Sequence, residues 1–246
     1  MNRRELSAVF FDAMGTILAL RPWVTAMTRE FSDLSKTHNV KLDDIYQVWS
    51  AEWKKVNEEV RKDKPFRNIR ELFFEAFTAV GKKVDLQLSP KDIWEIIERV
   101  TSYVNKNAIS YPDVRETVEA LKREGYKVGI ISDADKEDLT LQLESAGILQ
   151  CFDTITTSSE AESYKPNSKI FKVALARMNC RPVNACHIGD SQEFDVTGAN
   201  SMGLHSILVT HGRAEMHQNL SKPAYIIQEL KDIVPILCDS KLTGDG

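Results

Sequence analysis

Ala8-Val9-Phe10-Phe11-Asp12-Ala13-Met14-Gly15-Thr16 is the stretch whose reading decides the fold. Four consecutive apolar residues run into a carboxylate, and Gly15 follows as a turn signal. An unbroken apolar run of this length is the pattern of a strand buried on both faces. Strands of that kind belong to parallel sheets covered by helices, where functional groups collect at the carboxyl ends of the strands. Asp12 stands at that position.

Outward from this strand, the chain divides. From Tyr111 onward, helical and strand patterns alternate. A helix is predicted over 112–124, stopped by Gly125, and a strand over 127–131 ending at Ser132. A helix over 136–146, stopped by Gly147, precedes a strand over 153–157 and a helix over 168–178. The strand 185–188 ends at Gly189-Asp190. A helix near 196–202, a strand over 205–209, a further strand over 224–227 and a last helix near 229–237 complete the pattern. The polar residues 240–246 read as a frayed tail. Repeated short βα units of this kind make a parallel sheet with helices on both faces.

Between the first strand and this alternation, residues 21–107 are helical in pattern throughout. Ile45, Val48, Trp49, Trp53, Val56 and Val60 recur at three- and four-residue spacing, as do Ile69, Leu72, Phe73, Phe77 and Val80. Ser89-Pro90-Lys91-Asp92 opens another helix with a capping-box start, carried on by Ile93, Ile96, Ile97, Val100 and Val104. Such stripes bury against one another as a small bundle. The predicted fold is therefore α/β: a Rossmann-like parallel sheet with helices on both faces, built from residues 1–20 and 108–246, plus a small all-helical unit over 21–107.

Composition narrows the function classes. The formal net charge of −4 over 246 residues argues against a nucleic-acid footprint. No basic run is dense enough for an anionic membrane surface. The apolar run up to Phe11 is too short for a signal peptide or a membrane span. Cys151, Cys180, Cys186 and Cys238 show no zinc-like spacing and read as reduced thiols of a cytoplasmic protein. The expected partner is a small anionic substrate, and the chain is expected to act as a monomer or homodimer.

Four polar clusters each fall where an apolar strand stops: Asp12 to Thr16, Ser132-Asp133, Lys165-Pro166, and Gly189-Asp190-Ser191 with Asp195. A parallel sheet brings all four to one edge. Each alone is ordinary: an Asp-Gly turn, a helix-capping serine, a solvated lysine. Together they form a carboxylate, a hydroxyl, a lysine and an acidic pair. Asp12, Asp190 and Asp195 placed together repel in a site of low dielectric, and a hard cation removes that repulsion. Magnesium takes oxygen ligands and binds one or two carboxylates plus substrate phosphate. Asp12 is then positioned to attack phosphorus and form an aspartyl-phosphate.

In order and over essentially the whole chain, the four clusters resemble the four motifs of the haloacid dehalogenase-like superfamily. Phe11-Asp12-Ala13-Met14-Gly15-Thr16 resembles the first motif, whose leading Asp is the nucleophile. Ile130-Ile131-Ser132-Asp133 is similar to the second, whose hydroxyl binds the transferring group. Tyr164-Lys165-Pro166 with Ile170-Phe171 resembles the third, whose lysine steadies nucleophile and substrate. His187-Ile188-Gly189-Asp190-Ser191, with Asp195 and Gly198-Ala199, is similar to the acidic metal motif. The resemblance implies Mg²⁺ held by Asp12, the Met14 backbone carbonyl and Asp190, with Asp195 at or behind the metal. It implies substrate contacts from Thr16, Ser132, Asp133 and Lys165, and makes residues 21–107 a cap. The stretches 64–70 and 156–161 resemble those of archaeal members, of dehalogenase or phosphatase type, without an assigned substrate.

One departure bears on mechanism. Phosphatases of the superfamily carry a second Asp two positions after the nucleophile, and here that residue is Met14. A thioether transfers no proton near neutral pH. Three consequences compete: a leaving group that needs no proton (halide, acyl phosphate or phenolic phosphate), an acid from elsewhere, or a binding relative with little turnover. Dehalogenases of the superfamily work without metal and resemble Ser-x-Asn-x-x-Asp at the fourth motif. Keeping Gly189-Asp190 with Asp195 favours phosphate hydrolysis over dehalogenation. Phosphonate cleavage needs a cap lysine, and Lys54, Lys55 and Lys64 match no motif for it. In the cap, Arg67 and Arg70 are the pair expected to meet an anionic substrate, whereas Trp23, Trp49, Trp53 and Phe66 read mostly as bundle core.

Overall fold

The computed structural model describes residues 6–62, 65–212 and 217–238. Six strands form one parallel sheet: β1 (Ala8–Phe11), β2 (Lys127–Ser132), β3 (Thr154–Thr157), β4 (Ala185–Gly189), β5 (His205–Val209) and β6 (Tyr225–Ile227). Their order is β3-β2-β1-β4-β5-β6. Strand β1 is thus central, and the winding reverses between β1 and β4, the point where a doubly wound sheet leaves a crevice at its carboxyl edge. All four residues of β1 are buried, as its unbroken apolar run requires.

Four helices follow β1: α1 (Arg21–His38), α2 (Leu42–Val60), α3 (Ile69–Lys83) and α4 (Pro90–Asn107). Capping boxes open α3 at Asn68 and α4 at Ser89, each satisfying backbone donors that helix starts leave unpaired. The sequence stripes account for α2 to α4. Helix α1 carries a sparser one, Ala26, Phe31 and Leu34, with Pro22 in its first turn. These helices share an apolar core of their own around Phe31, Phe77, Ile96 and Ile97.

The remaining helices are α5 (Val114–Arg123), α6 (Lys136–Ser145), α7 (Ser158–Ala161), α8 (Ser168–Met178), α9 (Thr197–Ser201) and α10 (Ile233–Cys238). One face of the sheet packs on Val114, Val118, Leu139, Leu143, Ile233 and Leu237, the other on Ile170, Phe171, Ala174, Leu175 and Ala199. The sheet is covered on both sides, as predicted. Two elements differ from the sequence pattern. The last predicted helix breaks into a 3₁₀ turn, Leu230–Asp232, and α10, which places Pro235 in the first turn, where its missing N–H costs no helix bond. The helix expected near 196–202 begins as a π-helical turn, Gln192–Val196, continued by α9. Such turns interrupt helices mostly at functional sites. The four cysteines are free thiols, and burial pushes Cys186 up to about 12. No helix among the described residues is long and apolar enough to cross a membrane. The tail over 240–246 and Lys64 lie outside the described residues.

Candidate active site

Three strand ends and one loop deliver the site, so the expectation that all four clusters fall at strand ends fails for Lys165, which a short helix separates from β3. Asp12 follows β1, Ser132 closes β2, Gly189 closes β4, and Asp190 and Asp195 follow it. Lys165 arrives on the connection between α7 and α8. The ends of β1, β2 and β4 are adjacent because β1 pairs with both neighbours, with Phe11 opposite Ile130 and Ile188.

Lys165 is the hub. Its ammonium donates to Asp12 Oδ1 at 2.5 Å, to Asp195 Oδ1 at 2.7 Å and to the Ile131 carbonyl at 3.2 Å. Three N–H donors meet three acceptors, which is the full capacity of a lysine. Burial penalises this ammonium, yet the charges of Asp12, Asp195 and Asp133 outweigh it and hold the amine above its ordinary value. Asp195 is engaged at both oxygens. Its Oδ1 also lies 2.9 Å from His187 Nε2, and its Oδ2 accepts from the Ser191 N–H at 3.0 Å. Burial alone would raise the Asp195 carboxyl, but Lys165 and the His187 hydrogen bond bring it below the usual range. His187 is fully buried, and desolvation lowers it toward the neutral ring.

Asp12 behaves oppositely. Burial raises its carboxyl well above the ordinary value, Asp195 and Asp190 add to the rise, and Lys165 only partly offsets it. Carboxylate oxygens of Asp12, Asp190 and Asp195 lie within 4.8 Å of one another. An all-oxygen set that close, with an excess of negative charge that one lysine does not neutralise, fits a hard divalent cation.

Two glycines permit this crowding. Gly15 has φ +88°, and a Cβ there would sit 2.2 Å from Asp190 Oδ2. A Cβ on Gly189 would sit 2.1 Å from Asp195 Cγ. Bare backbone at both positions lets the carboxylates lie against the strand ends. The loop between them and Leu18 is folded tightly by the Ala13 carbonyl, which accepts from the N–H groups of Thr16, Ile17 and Leu18.

The structure brings together Asp12, Ser132, Asp133, Lys165, Asp190 and Asp195, with half-buried Met14 beside them. Thr16 is fully buried, and its hydroxyl makes no hydrogen bond. The two arginines expected to meet an anionic substrate are engaged in ion pairs. Arg67 pairs with Glu75, and Arg70 with Asp138 and Glu98. Lys54 is 79% exposed and pairs with Glu58 four residues on. Lys55 is likewise exposed, so both are surface lysines.

The arginine that does reach the motifs is Arg61, at the end of α2. Its Nη2 donates to Asp133 Oδ2 at 2.8 Å, its Nε to the Lys165 carbonyl at 2.8 Å, and its Nη1 to Asn57. The guanidinium lies 4.1 Å from the Phe194 ring centre. Asp133 Oδ1 accepts from the Lys165 N–H at 2.9 Å, so one carboxylate joins the second motif, the third motif and α2. In the sequence Arg61 is an ordinary cation near a helix end, and nothing in its spacing marks it.

Beside Met14 and Ser132 lies a cavity of about 300 Å³ between the four-helix unit and the sheet edge. Trp23, Trp49, Trp53 and Phe73 wall it together with Met14 and Met27. Trp49 and Trp53 stack at 5.8 Å, and Trp53 stacks on Phe73 at 4.7 Å. These tryptophans pack in the bundle, as their spacing predicts, but they are only half-buried and present their remaining surface to the cavity. Asp135 and Asp138 also reach its wall but are engaged. Asp135 accepts from the N–H groups of Ile69 and Arg70, and Asp138 from Arg70 and Asn105.

A buried carboxylate at the end of the central strand is thus bridged by Lys165 to Asp195, with Asp190 alongside. The chain belongs to the haloacid dehalogenase-like hydrolase family, whose profile matches residues 9–209. It is similar to the pyrophosphatase PpaX of Bacillus mycoides, at 27% identity over 175 residues covering 67% of this chain and 79% of that protein. Among solved structures it is similar to a HAD phosphatase from Thermococcus onnurineus, at 28% identity and TM-score 0.69, covering 95% of this chain and 98% of that one. The L-2-haloacid dehalogenase of Xanthobacter autotrophicus with chloropropionic acid covalently bound shares the fold, at 16% identity and TM-score 0.75, covering 94% and 98%.

Proposed function

We propose that this enzyme is a magnesium-dependent hydrolase of small phosphorylated metabolites, working through an aspartyl-phosphate on Asp12. The observation that carries the reading is the Asp12, Asp190 and Asp195 cluster, with Lys165 donating to two of the three carboxylates. Asp12, Asp190 and the Met14 backbone carbonyl are the groups that would hold the ion. Bound there, magnesium offsets negative charge on the carboxylates and on the phosphoryl oxygens. Asp195 is already engaged at both oxygens and acts from behind, by fixing Lys165.

In this mechanism an Asp12 oxygen attacks phosphorus while the Ser132 hydroxyl meets a phosphoryl oxygen and the Lys165 ammonium, held on Asp12, Asp195 and the Ile131 carbonyl, offsets charge beside it. Water then hydrolyses the aspartyl-phosphate. Residues 21–107 act as the cap that excludes bulk water and shapes the substrate. Arg61 holds the end of α2 on Asp133, so that the cap is tied to two motifs at once. The expected setting is the cytoplasm, with a monomer or homodimer as the working form.

The test is phosphate release from a panel of phosphorylated metabolites and an aryl phosphate, with Mg²⁺ and with chelator. Turnover that needs Mg²⁺ and falls at least about a thousandfold in Asp12→Asn is expected. Activity that survives the substitution sinks the reading. A second reading, 2-haloacid dehalogenation through an ester on Asp12, draws on Met14, because halide leaves without a proton. It predicts chloride release from 2-chloropropionate in chelator.

A further inference from the structure

Resting on the phosphohydrolase reading, we propose that the substrate is a phosphomonoester of a phenol, its aromatic body seated in the cavity walled by Trp23, Trp49, Trp53 and Phe73. Two independent observations meet here. The first is the cavity itself. Its aromatic wall begins at Met14, the second residue after the nucleophile, and Ser132 stands in the same lining. Three of the chain's four tryptophans line it. An apolar cavity of roughly 150 Å³ accommodates one benzene, so about 300 Å³ has room for one or two rings. Among the described residues no lysine or arginine lines it, and its acidic wall residues are engaged. A second phosphate or a carboxylate on the substrate body would find no counter-charge there. A flat apolar ring would find stacking partners.

The second observation is the thioether of Met14 where a proton donor would serve an alkoxide. A phenol ester needs none. The Asp12 carboxylate attacks phosphorus, the bond from phosphorus to the phenolic oxygen breaks, and its electron pair leaves with the phenolate. Water then attacks the aspartyl-phosphate and returns the bonding pair to Asp12. Both protons of the water stay on the released dihydrogen phosphate, which passes one to the phenolate in solution. Charge and protons balance without an enzyme acid. The cavity and the leaving group thus point to one chemistry.

Phenyl, 1-naphthyl and benzyl phosphate, glycerol 3-phosphate, acetyl phosphate and pyrophosphate are compared with Mg²⁺ by phosphate release. The phenolic esters should exceed benzyl phosphate in kcat/KM by about a hundredfold or more, the usual worth of the missing acid. They should exceed acetyl phosphate, which has a good leaving group and no ring, by about tenfold. Benzyl phosphate equal to phenyl phosphate, or acetyl phosphate or pyrophosphate ahead of both phenolic esters, overturns the proposal and leaves the phosphohydrolase reading standing. Phosphate from none of the six removes both. Met14→Asp should raise benzyl phosphate hydrolysis at least tenfold more than phenyl phosphate hydrolysis; equal gains overturn the leaving-group half. Trp53→Ala should lower kcat/KM for 1-naphthyl phosphate about tenfold more than for acetyl phosphate. Because Trp53 also packs in the bundle, Trp23→Leu and calorimetric binding of 1-naphthol to the unsubstituted enzyme serve as the second readout. Absence of naphthol binding overturns the seat.

Discussion

The carboxyl edge of the sheet and the aromatic wall of the four-helix unit face the same space, and opposite physics holds each in place. At the sheet edge, Asp12, Lys165 and Asp195 are almost wholly buried ions whose positions follow from charge and hydrogen bonds. Across the cavity, the tryptophans are half-buried rings positioned by packing, and little but shape directs them. Removing one partner from the first region leaves uncompensated buried charge, a cost of several kcal/mol. Trimming a ring in the second costs contact area and leaves no ion stranded. The division suits an enzyme whose bond-breaking step must be fixed while its substrate body can vary.

The comparison breaks first at Lys165. Lys165→Met leaves Asp12 and Asp195 facing each other without their shared cation. About 3–5 kcal/mol of stability should be lost in denaturant melts, with Mg²⁺ restoring part of it, and turnover should fall below detection. A variant as stable as the parent would show that charge does not hold this edge together. Gly189→Ala comes next. Its Cβ would displace the Asp195 carboxylate, and a cost of about 2–3 kcal/mol with a steep loss of kcat is expected. Arg61→Met sharpens the boundary between the regions. It strips Asp133 of its partner at the end of α2, and a loss of about 2 kcal/mol with weaker substrate binding is expected. An unchanged KM would separate the Arg61 contact from cap closure.

The smallest effect concerns pH and lies away from the chemistry. Burial would raise Asp138, but the hydrogen bonds and charge of Arg70 and the bond from Asn105 outweigh it, so its carboxyl sits below the ordinary value. A depressed carboxyl contributes stability that is present above its unfolded value, about 4, and lost as pH falls through the folded one. Asp138→Asn should therefore cost about 1 kcal/mol at neutral pH and flatten the decline of melting temperature below about pH 4. A parallel decline in both proteins would remove Asp138 from the joint between α3 and α6.

Much of this was legible along the chain. The unbroken apolar run before Asp12 implied a strand covered on both faces, and β1 is central and fully buried. Asp12, Ser132 and Asp190 stand at or just past strand ends, so an apolar run followed by a polar residue was enough to locate them, whereas Lys165 lies on a loop beyond α7. Arg61, Arg67 and Arg70 show where that legibility stops. All three are cations near helix ends, and only the packing of α2 against the sheet edge selects Arg61. Thr16 shares a motif with Asp12, and its full burial with an unpartnered hydroxyl is a tertiary property that no local pattern announces.

The amino-acid sequence by itself determined the class of fold, the family and the strand-end position of Asp12, because hydrophobic pattern and strand-end polarity are local properties of a chain. Only the tertiary structure decided which residues of the four-helix unit meet the sheet edge and that an aromatic cavity adjoins Met14. Those depend on how two separately packed units abut, and no local period encodes the angle between them.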